Sequence, residues 1–111
     1  MKKVDLIIIG AGPGGYETAL AAAKSGLATV LIEKSQIGGT CLNEGCIPTK
    51  CFCRSAEVME DIAAAGNYGI KTGPPLPDMK DIISRKNNTI KALGESVAAL
   101  LKRNAVTVIS G

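Results

Sequence analysis

The chemistry-bearing residues of this chain are concentrated in one run, Gly38-Gly39-Thr40-Cys41-Leu42-Asn43-Glu44-Gly45-Cys46-Ile47-Pro48-Thr49-Lys50. Cys41 and Cys46 have four residues between them. Two thiols at that spacing, with glycines around them and a proline and a lysine after, read as a redox pair that cycles between disulfide and dithiol. Cys46 precedes Ile47-Pro48 and a helical stretch from Ser55 to Ala65, which places it in the first turn of a helix. Free N–H groups and the positive end of the helix dipole stabilise a thiolate there. Cys41 falls in the loop before that helix. Gly38, Gly39 and Gly45 let this loop pass close to a flat ring without side-chain clashes. Lys50 lies one turn beyond Cys46, where a cation would favour negative charge on a reduced ring. A solvated helix lysine is the equally simple reading of it.

The other two cysteines add no metal chemistry. Cys41, Cys46, Cys51 and Cys53 are separated by four, four and one residues, and the chain has no histidine. Zinc sites pair their ligands more closely and hold the two pairs apart, and the plant-type iron–sulfur spacing differs as well. No metal site is expected. Cys51 and Cys53 point to different helix faces. Both are read as small packing residues.

The elements around the cysteine run are those that would bring it to a dinucleotide. Val4 to Ile9 is a short apolar run rich in β-branched residues, as in a strand buried on both faces. Gly10-Ala11-Gly12-Pro13-Gly14-Gly15 follows at once. Tyr16 to Lys24 is alanine-rich and helical, and Ser25-Gly26 ends it. Ala28 to Ile32 is a second strand with Glu33 at its carboxyl end. Strand, G-x-G-x-x-G, helix, strand and terminal acid thus arrive in the order of a dinucleotide-binding βαβ unit. Gly10 serves the tight turn, Gly12 the approach of backbone to a pyrophosphate, and Gly15 the packing of helix on strand. The pyrophosphate would sit at the helix N-terminus. Glu33 would accept from ribose hydroxyls and repel a 2′-phosphate. This unit alone fits NAD or FAD; the cysteine run selects the flavin.

Further along, Asn67 to Pro77 is a loop broken at Gly73-Pro74-Pro75. Asp78 or Asp81 could cap the next helix, which runs to about Arg103. Its apolar residues Ile82, Ile83, Ile90, Leu93, Val97, Leu100 and Leu101 recur at helical spacing. Lys86, Lys91, Lys102 and Arg103 read as its wet side. Asn104 closes it, and Ala105 to Ile109 is a third strand.

Composition narrows the function classes. At 111 residues the chain is one domain at most, of a size that buries roughly two-thirds of its unfolded surface. A net charge of +3 and three aromatic residues argue against a nucleic-acid surface. The lysines at positions 2 and 3 could mimic the start of a signal peptide. The apolar run after them is too short and is interrupted by Asp5. No stretch approaches membrane-spanning length. A cytoplasmic location is expected, where a disulfide is catalytic rather than structural.

With these residues in view, the chain resembles the N-terminal part of the class I flavoprotein disulfide reductases, the pyridine nucleotide-disulfide oxidoreductases. Ile8-Ile9-Gly10-Ala11-Gly12-Pro13-Gly14-Gly15-Tyr16 and the run from Gly38 to Lys50 carry the resemblance, which covers the whole chain. It is most similar to the members that oxidise dihydrolipoamide. Leu42 and the ending Ile47 to Lys50 favour these over the glutathione and mercuric reductases. The implied fold is α/β, a Rossmann-like FAD-binding domain with a parallel sheet and a GxGxxG βαβ unit, in truncated form. Residues 1–111 would be its N-terminal part.

The resemblance also implies roles. Gly10, Gly12, Pro13, Gly14 and Gly15 would hold the FAD pyrophosphate, and Glu33 the adenosine ribose. Lys34 to Cys41, with Gly38, Gly39 and Thr40, would run along the cofactor, and Lys50 would sit near the flavin. Cys41 would be the interchange thiol and Cys46 the charge-transfer thiol. A lipoyl-bearing protein or small dithiol would be oxidised and NAD reduced, without nucleic acid or membrane as partner. Family members continue several-fold further, so a fragment is expected, inactive alone and a weak holder of FAD. Missing from it would be the NAD and dimerisation domains and the catalytic histidine–glutamate pair. Cys51-Phe52-Cys53 departs from the usual aliphatic or hydroxyl residues. In a sheet of order 3-2-1-4, the strand Val4 to Ile9 would keep a bare edge, through which the fragment would self-associate. A sister disulfide reductase and a non-catalytic flavin-binding module are the alternative readings.

Overall fold

A computed structural model describes residues 3–111. Met1 and Lys2, and with them part of the signal-peptide reading, lie outside the described residues. The order is β1 (Leu6–Ile9), α1 (Pro13–Lys24), β2 (Thr29–Glu33), α2 (Gly39–Glu44), α3 (Cys46–Ala64), a 3₁₀ turn (Ala65–Tyr68), α4 (Met79–Arg103) and β3 (Thr107–Ser110). The three strands form one parallel sheet in the order β1-β2-β3. Ile8 is paired with Leu31, and Leu31 with Val108. These are the first three members of the expected strand order.

The crossover from β1 to β2 is short because its turn is glycine. Gly10 has φ +97°, where a Cβ is disfavoured, and its N–H still reaches the Ile32 carbonyl at 2.7 Å. α1 then lies directly on the sheet. A Cβ on Gly15 would overlap the Gly10 carbonyl oxygen and come within 3.7 Å of Ile8. Ala19 and Ala22, both small and buried, keep the approach close, and Leu20 is buried beside them. The core gathers Ala11, Ala19, Leu20, Leu31, Leu101 and Val106, with Ile8, Tyr16, Ile37 and Val97 packed against it.

α3 and α4 depart from a compact domain. The second half of α4 packs on the core through Leu101, while its first half runs alongside α3. Arg85 of α4 donates to the Cys51 carbonyl of α3 at 3.3 Å. The molecule therefore measures 67 × 25 × 18 Å, with a radius of gyration of 19.6 Å. A compact domain of this length has about 13 Å. The surface is 7789 Å², so the chain buries about half of its unfolded area rather than two-thirds.

Four local expectations change. Cys41 lies in helix α2 rather than in a loop. Cys46 is in the first turn of its helix as expected, but that helix begins at Cys46 itself, well ahead of Ser55, and ends at Ala64. Ala105 does not start the third strand: it has φ +57° and closes α4, its N–H bonded to Lys102 and that of Val106 to Leu101. This is the left-handed helix termination that glycine usually fills, and β3 begins only at Thr107. Cys53 is exposed and packs nothing, while Cys51 is buried. Asp78, not Asp81, caps α4, accepting from the amides of Lys80 and Asp81.

Candidate functional site

The site forms where the glycine turn after β1 meets the glycine pair before α2. Gly38 has φ +101° and donates its N–H to the Ala11 carbonyl at 2.7 Å. Gly39 lies so close to the turn that a Cβ on it would stand 2.8 Å from the Gly12 Cα. A Cβ on Gly38 would meet Leu42, and one on Gly45 would lie 3.2 Å from the Thr40 carbonyl oxygen. These glycines thus admit the chain's own backbone and side chains, not only the flat ring expected from the sequence. Gly12 and Gly14 differ, because nothing lies within 4 Å of where their Cβ atoms would be.

Glu33 ties the same turn to the sheet. Its Oε2 accepts from the Ala11 N–H at 2.7 Å and its Oε1 from the Ser35 N–H at 2.8 Å. The Ala11 bond and then the Ser35 bond hold its carboxyl below the ordinary value of 4.5, against a partial desolvation that acts the other way. A carboxylate has lone pairs left after two such bonds.

A cleft of about 380 Å³ opens beside Glu33 and is lined by Lys34, Ser35, Gln36, Gly39, Thr40, Asn43 and Glu44. Asn43 and Glu44 were not anticipated. Asn43 fastens α2, its Nδ2 donating to the carbonyls of Ile37 at 3.2 Å and Gly39 at 2.9 Å. The signal was an asparagine inside a helix, a place where it competes poorly unless it bonds backbone.

Cys41 and Cys46 are joined in a disulfide with Cα atoms 4.8 Å apart, inside the span a disulfide bridges. Five steps along an unbroken helix rise about 7.5 Å. The break at Gly45 between α2 and α3 is what closes that distance. Cys41 is half-buried in α2, and Cys46 is exposed as the first residue of α3. The start of α3 has no side-chain cap and no acidic residue in its first turn. Pro48 has no N–H, and the Thr49 N–H bonds to Gly45. The N–H groups of Cys46 and Ile47 are left free, as at any uncapped helix start. The start of α1 is alike: Gly12 offers no side-chain cap, Pro13 no N–H, and the first turn no acid.

The structure thus gathers Gly10, Gly12, Pro13, Gly14, Gly15, Glu33, Lys34, Gly38, Gly39 and Thr40 at one end of the sheet. The disulfide follows directly from that cleft through α2. Lys50 is exposed one turn along α3 from Cys46 and does not line the cleft. Among the described residues, no group of three or more cysteine, aspartate or glutamate side chains could hold a metal ion. No described helix is long and apolar enough to cross a membrane.

A parallel sheet with a glycine turn at one strand end and a helix-start disulfide beside it defines a class. The chain belongs to the pyridine nucleotide-disulphide oxidoreductase family, whose model matches residues 4–111. It is 44% identical over 111 residues to the dihydrolipoyl dehydrogenase of Acholeplasma laidlawii, covering 99% of this chain and 33% of that protein. It is 46% identical over 107 residues to the dihydrolipoyl dehydrogenase of Zymomonas mobilis, covering 96% and 23%. The crystal structure of LpdA from Mycobacterium tuberculosis superposes with a TM-score of 0.87 at 31% identity, over 97% of this chain and 24% of that one. The chain therefore spans between about a quarter and a third of the length of these relatives.

Proposed function

We propose that this chain is the N-terminal, FAD-binding part of a cytoplasmic dihydrolipoyl dehydrogenase and carries its redox disulfide. The observation that carries the reading is the Cys41–Cys46 bridge at the start of α3, joined through α2 to the glycine turn. The similarity to dihydrolipoyl dehydrogenases favours dihydrolipoamide over other disulfides as the substrate class.

The residues present fit FAD. Gly12 and Gly14 leave open space at an uncapped helix start, which suits a pyrophosphate. Glu33 keeps acceptor capacity for a ribose, and Lys34, Gly39 and Thr40 continue the same cleft toward the cysteines. When bound, FAD supplies the two-electron carrier between a dithiol–disulfide pair and NAD. Lys50 would add positive charge near its far end.

The chain's own residues perform the thiol exchange. A thiolate of the substrate dithiol attacks the Cys41 sulfur, forming a mixed disulfide and breaking the Cys41–Cys46 bond. Cys46 leaves as a thiolate, stabilised by the free N–H groups and dipole of α3. The second substrate thiol, deprotonated, attacks the substrate sulfur bound to Cys41 and displaces the Cys41 thiolate. The substrate leaves as a cyclic disulfide, oxidised by two electrons, and Cys41 and Cys46 hold those electrons as a dithiol. The proton-accepting groups and the nicotinamide site belong to chain outside these residues in this reading.

The test is the activity of an enzyme carrying this sequence, measured with dihydrolipoamide and NAD against oxidised glutathione and NADPH. The first pair should turn over, and Cys41→Ser and Cys46→Ser should each lower kcat at least about a thousandfold. Turnover confined to glutathione and NADPH would transfer the chain to a sister enzyme. Dithiol oxidation that survives both substitutions would overturn the role of the disulfide.

A further inference from the structure

Asn43 stands inside the cysteine run, and the thiol exchange described above gives it no part. It belongs to α2, which is six residues long and has no side-chain cap at its start. A helix that short does not hold itself in water. It is held from outside, and Cys41 moves with it. Leu42 is buried against its surroundings. Gly38, just before the helix, donates to the Ala11 carbonyl. The bridge from Cys41 to Cys46 fastens α2 to α3. A further tie is the side-chain amide of Asn43, whose Nδ2 donates to the carbonyls of Ile37 at 3.2 Å and Gly39 at 2.9 Å. Both N–H groups of that amide are thereby used.

These two acceptors bracket the entry to α2. Ile37 lies before the glycine pair, and Gly39 is the first residue of the helix. One side chain therefore closes residues 37–43 into a ring, and Cys41 lies within it. Residues two apart on a helix do not face each other, so Asn43 acts on the Cys41 sulfur through α2 rather than by contact. The bridge and the amide hold the same short helix, which couples them. While the disulfide is closed, Cys46 fixes Cys41 covalently. Once it is open, that tie is gone and the amide still holds the entry to α2. The open pair then has less freedom to lose when it closes, and by reciprocity the amide makes the bridge more stable.

We propose that Asn43 is a positioning residue of the redox pair: through the Ile37 and Gly39 carbonyls it keeps Cys41 beside the start of α3 while the bridge is open, so that Cys41 and Cys46 rejoin. In rejoining, the two thiols give up two protons and two electrons and form one S–S bond, the electrons passing to the flavin of the proposed function. The inference rests on that redox cycle and on no particular substrate.

The thiol–disulfide equilibrium of the pair tests it. An enzyme carrying this sequence is equilibrated with mixtures of reduced and oxidised dithiothreitol, quenched in acid and alkylated. Cys41 and Cys46 are then read by peptide mass spectrometry, with FAD bound and with FAD removed. Asn43→Ala deletes both bonds yet installs the better helix former. If Asn43 served α2 only by helix propensity, the bridge of the variant would be as stable as before or more so. A positioning residue gives the opposite result. The effective concentration of the two thiols should fall about tenfold, which raises the potential by about 30 mV, with and without FAD. Circular dichroism should stay that of the wild type. Hydrogen exchange gives a second reading at the Leu42 amide, which bonds to the Gly38 carbonyl. In the reduced protein this amide should exchange faster in Asn43→Ala than in the wild type.

An unshifted potential overturns the proposal, and so does a Leu42 amide that exchanges equally in the two reduced proteins. A shift seen only with FAD bound also overturns it, because Asn43 borders the cleft and would then act through the cofactor. No substrate enters the measurement, so any of these results strikes the role of Asn43 and leaves the dihydrolipoyl reading to the turnover assay.

Discussion

α1 and α4 begin in opposite ways. α4 starts at Asp78, whose Oδ1 accepts from Lys80 and Asp81, and a second acid, Asp81, sits in its first turn. α1 starts at Gly12, with no capping side chain and no acid near. The free N–H groups of a helix start can be satisfied from within the chain or left for a ligand, and not both. α4 is a structural helix and satisfies its own. α1 and α3 start beside the cleft and the disulfide, and both leave theirs open. In the proposed function, the uncapped starts are where negative charge is received: a pyrophosphate at α1 and a thiolate at α3.

That contrast can be broken first at Gly12. Its φ of −69° and the empty space at its Cβ position accept other residues. Gly12→Asp would give α1 the cap that α4 has. FAD affinity should fall about a hundredfold from like-charge repulsion and lost donors, while the free protein gains about 0.5 kcal/mol. Flavin retention by ultrafiltration and a urea melt measure the two halves. Weakened binding with weakened stability would mean that Gly12 is a folding residue instead.

The converse change is Asp78→Ala. It should lower stability by about 1 kcal/mol in the same melt and leave flavin affinity alone. Ala105→Gly should act in the opposite direction. It relieves a side chain held at φ +57° and should raise stability by about 1 kcal/mol. A neutral result would mean that the end of α4 relaxes to another turn.

The smallest effect is a pH dependence. Hydrogen bonds from Ala11 and Ser35 set the carboxyl of Glu33 lower in the folded chain than in the unfolded one. Its stabilising contribution is therefore complete above the ordinary value of 4.5 and disappears as pH falls through the lower folded value. Glu33→Gln should flatten that acid limb in thermal melts and leave the slope near neutrality unchanged. An unaltered acid limb would show that the two backbone bonds are weak in solution.

Much of this was legible in the residues because the determinants are local. Gly10 to Gly15 fix a turn, β-branched runs fix the strands, and Ser25-Gly26 ends α1 where it should. The cysteine run, with its glycines, proline and lysine, pointed to Cys41 and Cys46 as a pair, and a disulfide joins them. What was not legible depends on contacts between distant segments. Gly38 and Gly39 looked like clearance for a ring, and the presence of Ala11 and Gly12 beside them decides otherwise. Cys41 seemed to lie in a loop because Gly38, Gly39 and Gly45 are poor helix residues. Two of those glycines in fact bound a single short helix, Gly38 at its start and Gly45 at its end. Ala105 has no local signal for a left-handed conformation; the bonds from its own N–H and that of Val106 back into α4 impose it. The elongated shape was hidden because helical periodicity shows that α4 has an apolar face, not how much of that face is covered.

The central claim is that the Cys46 sulfur, released at the start of α3, is the thiolate that faces the flavin. Visible absorption during dithionite titration of the flavin-loaded protein tests it most directly. In the wild type a long-wavelength band should rise at the two-electron stage; in Cys41→Ser, which has no disulfide to reduce, it should be present before any dithionite is added, and it should be missing from Cys46→Ser. A band that survives in Cys46→Ser, or that never forms in the wild type, would contradict the account.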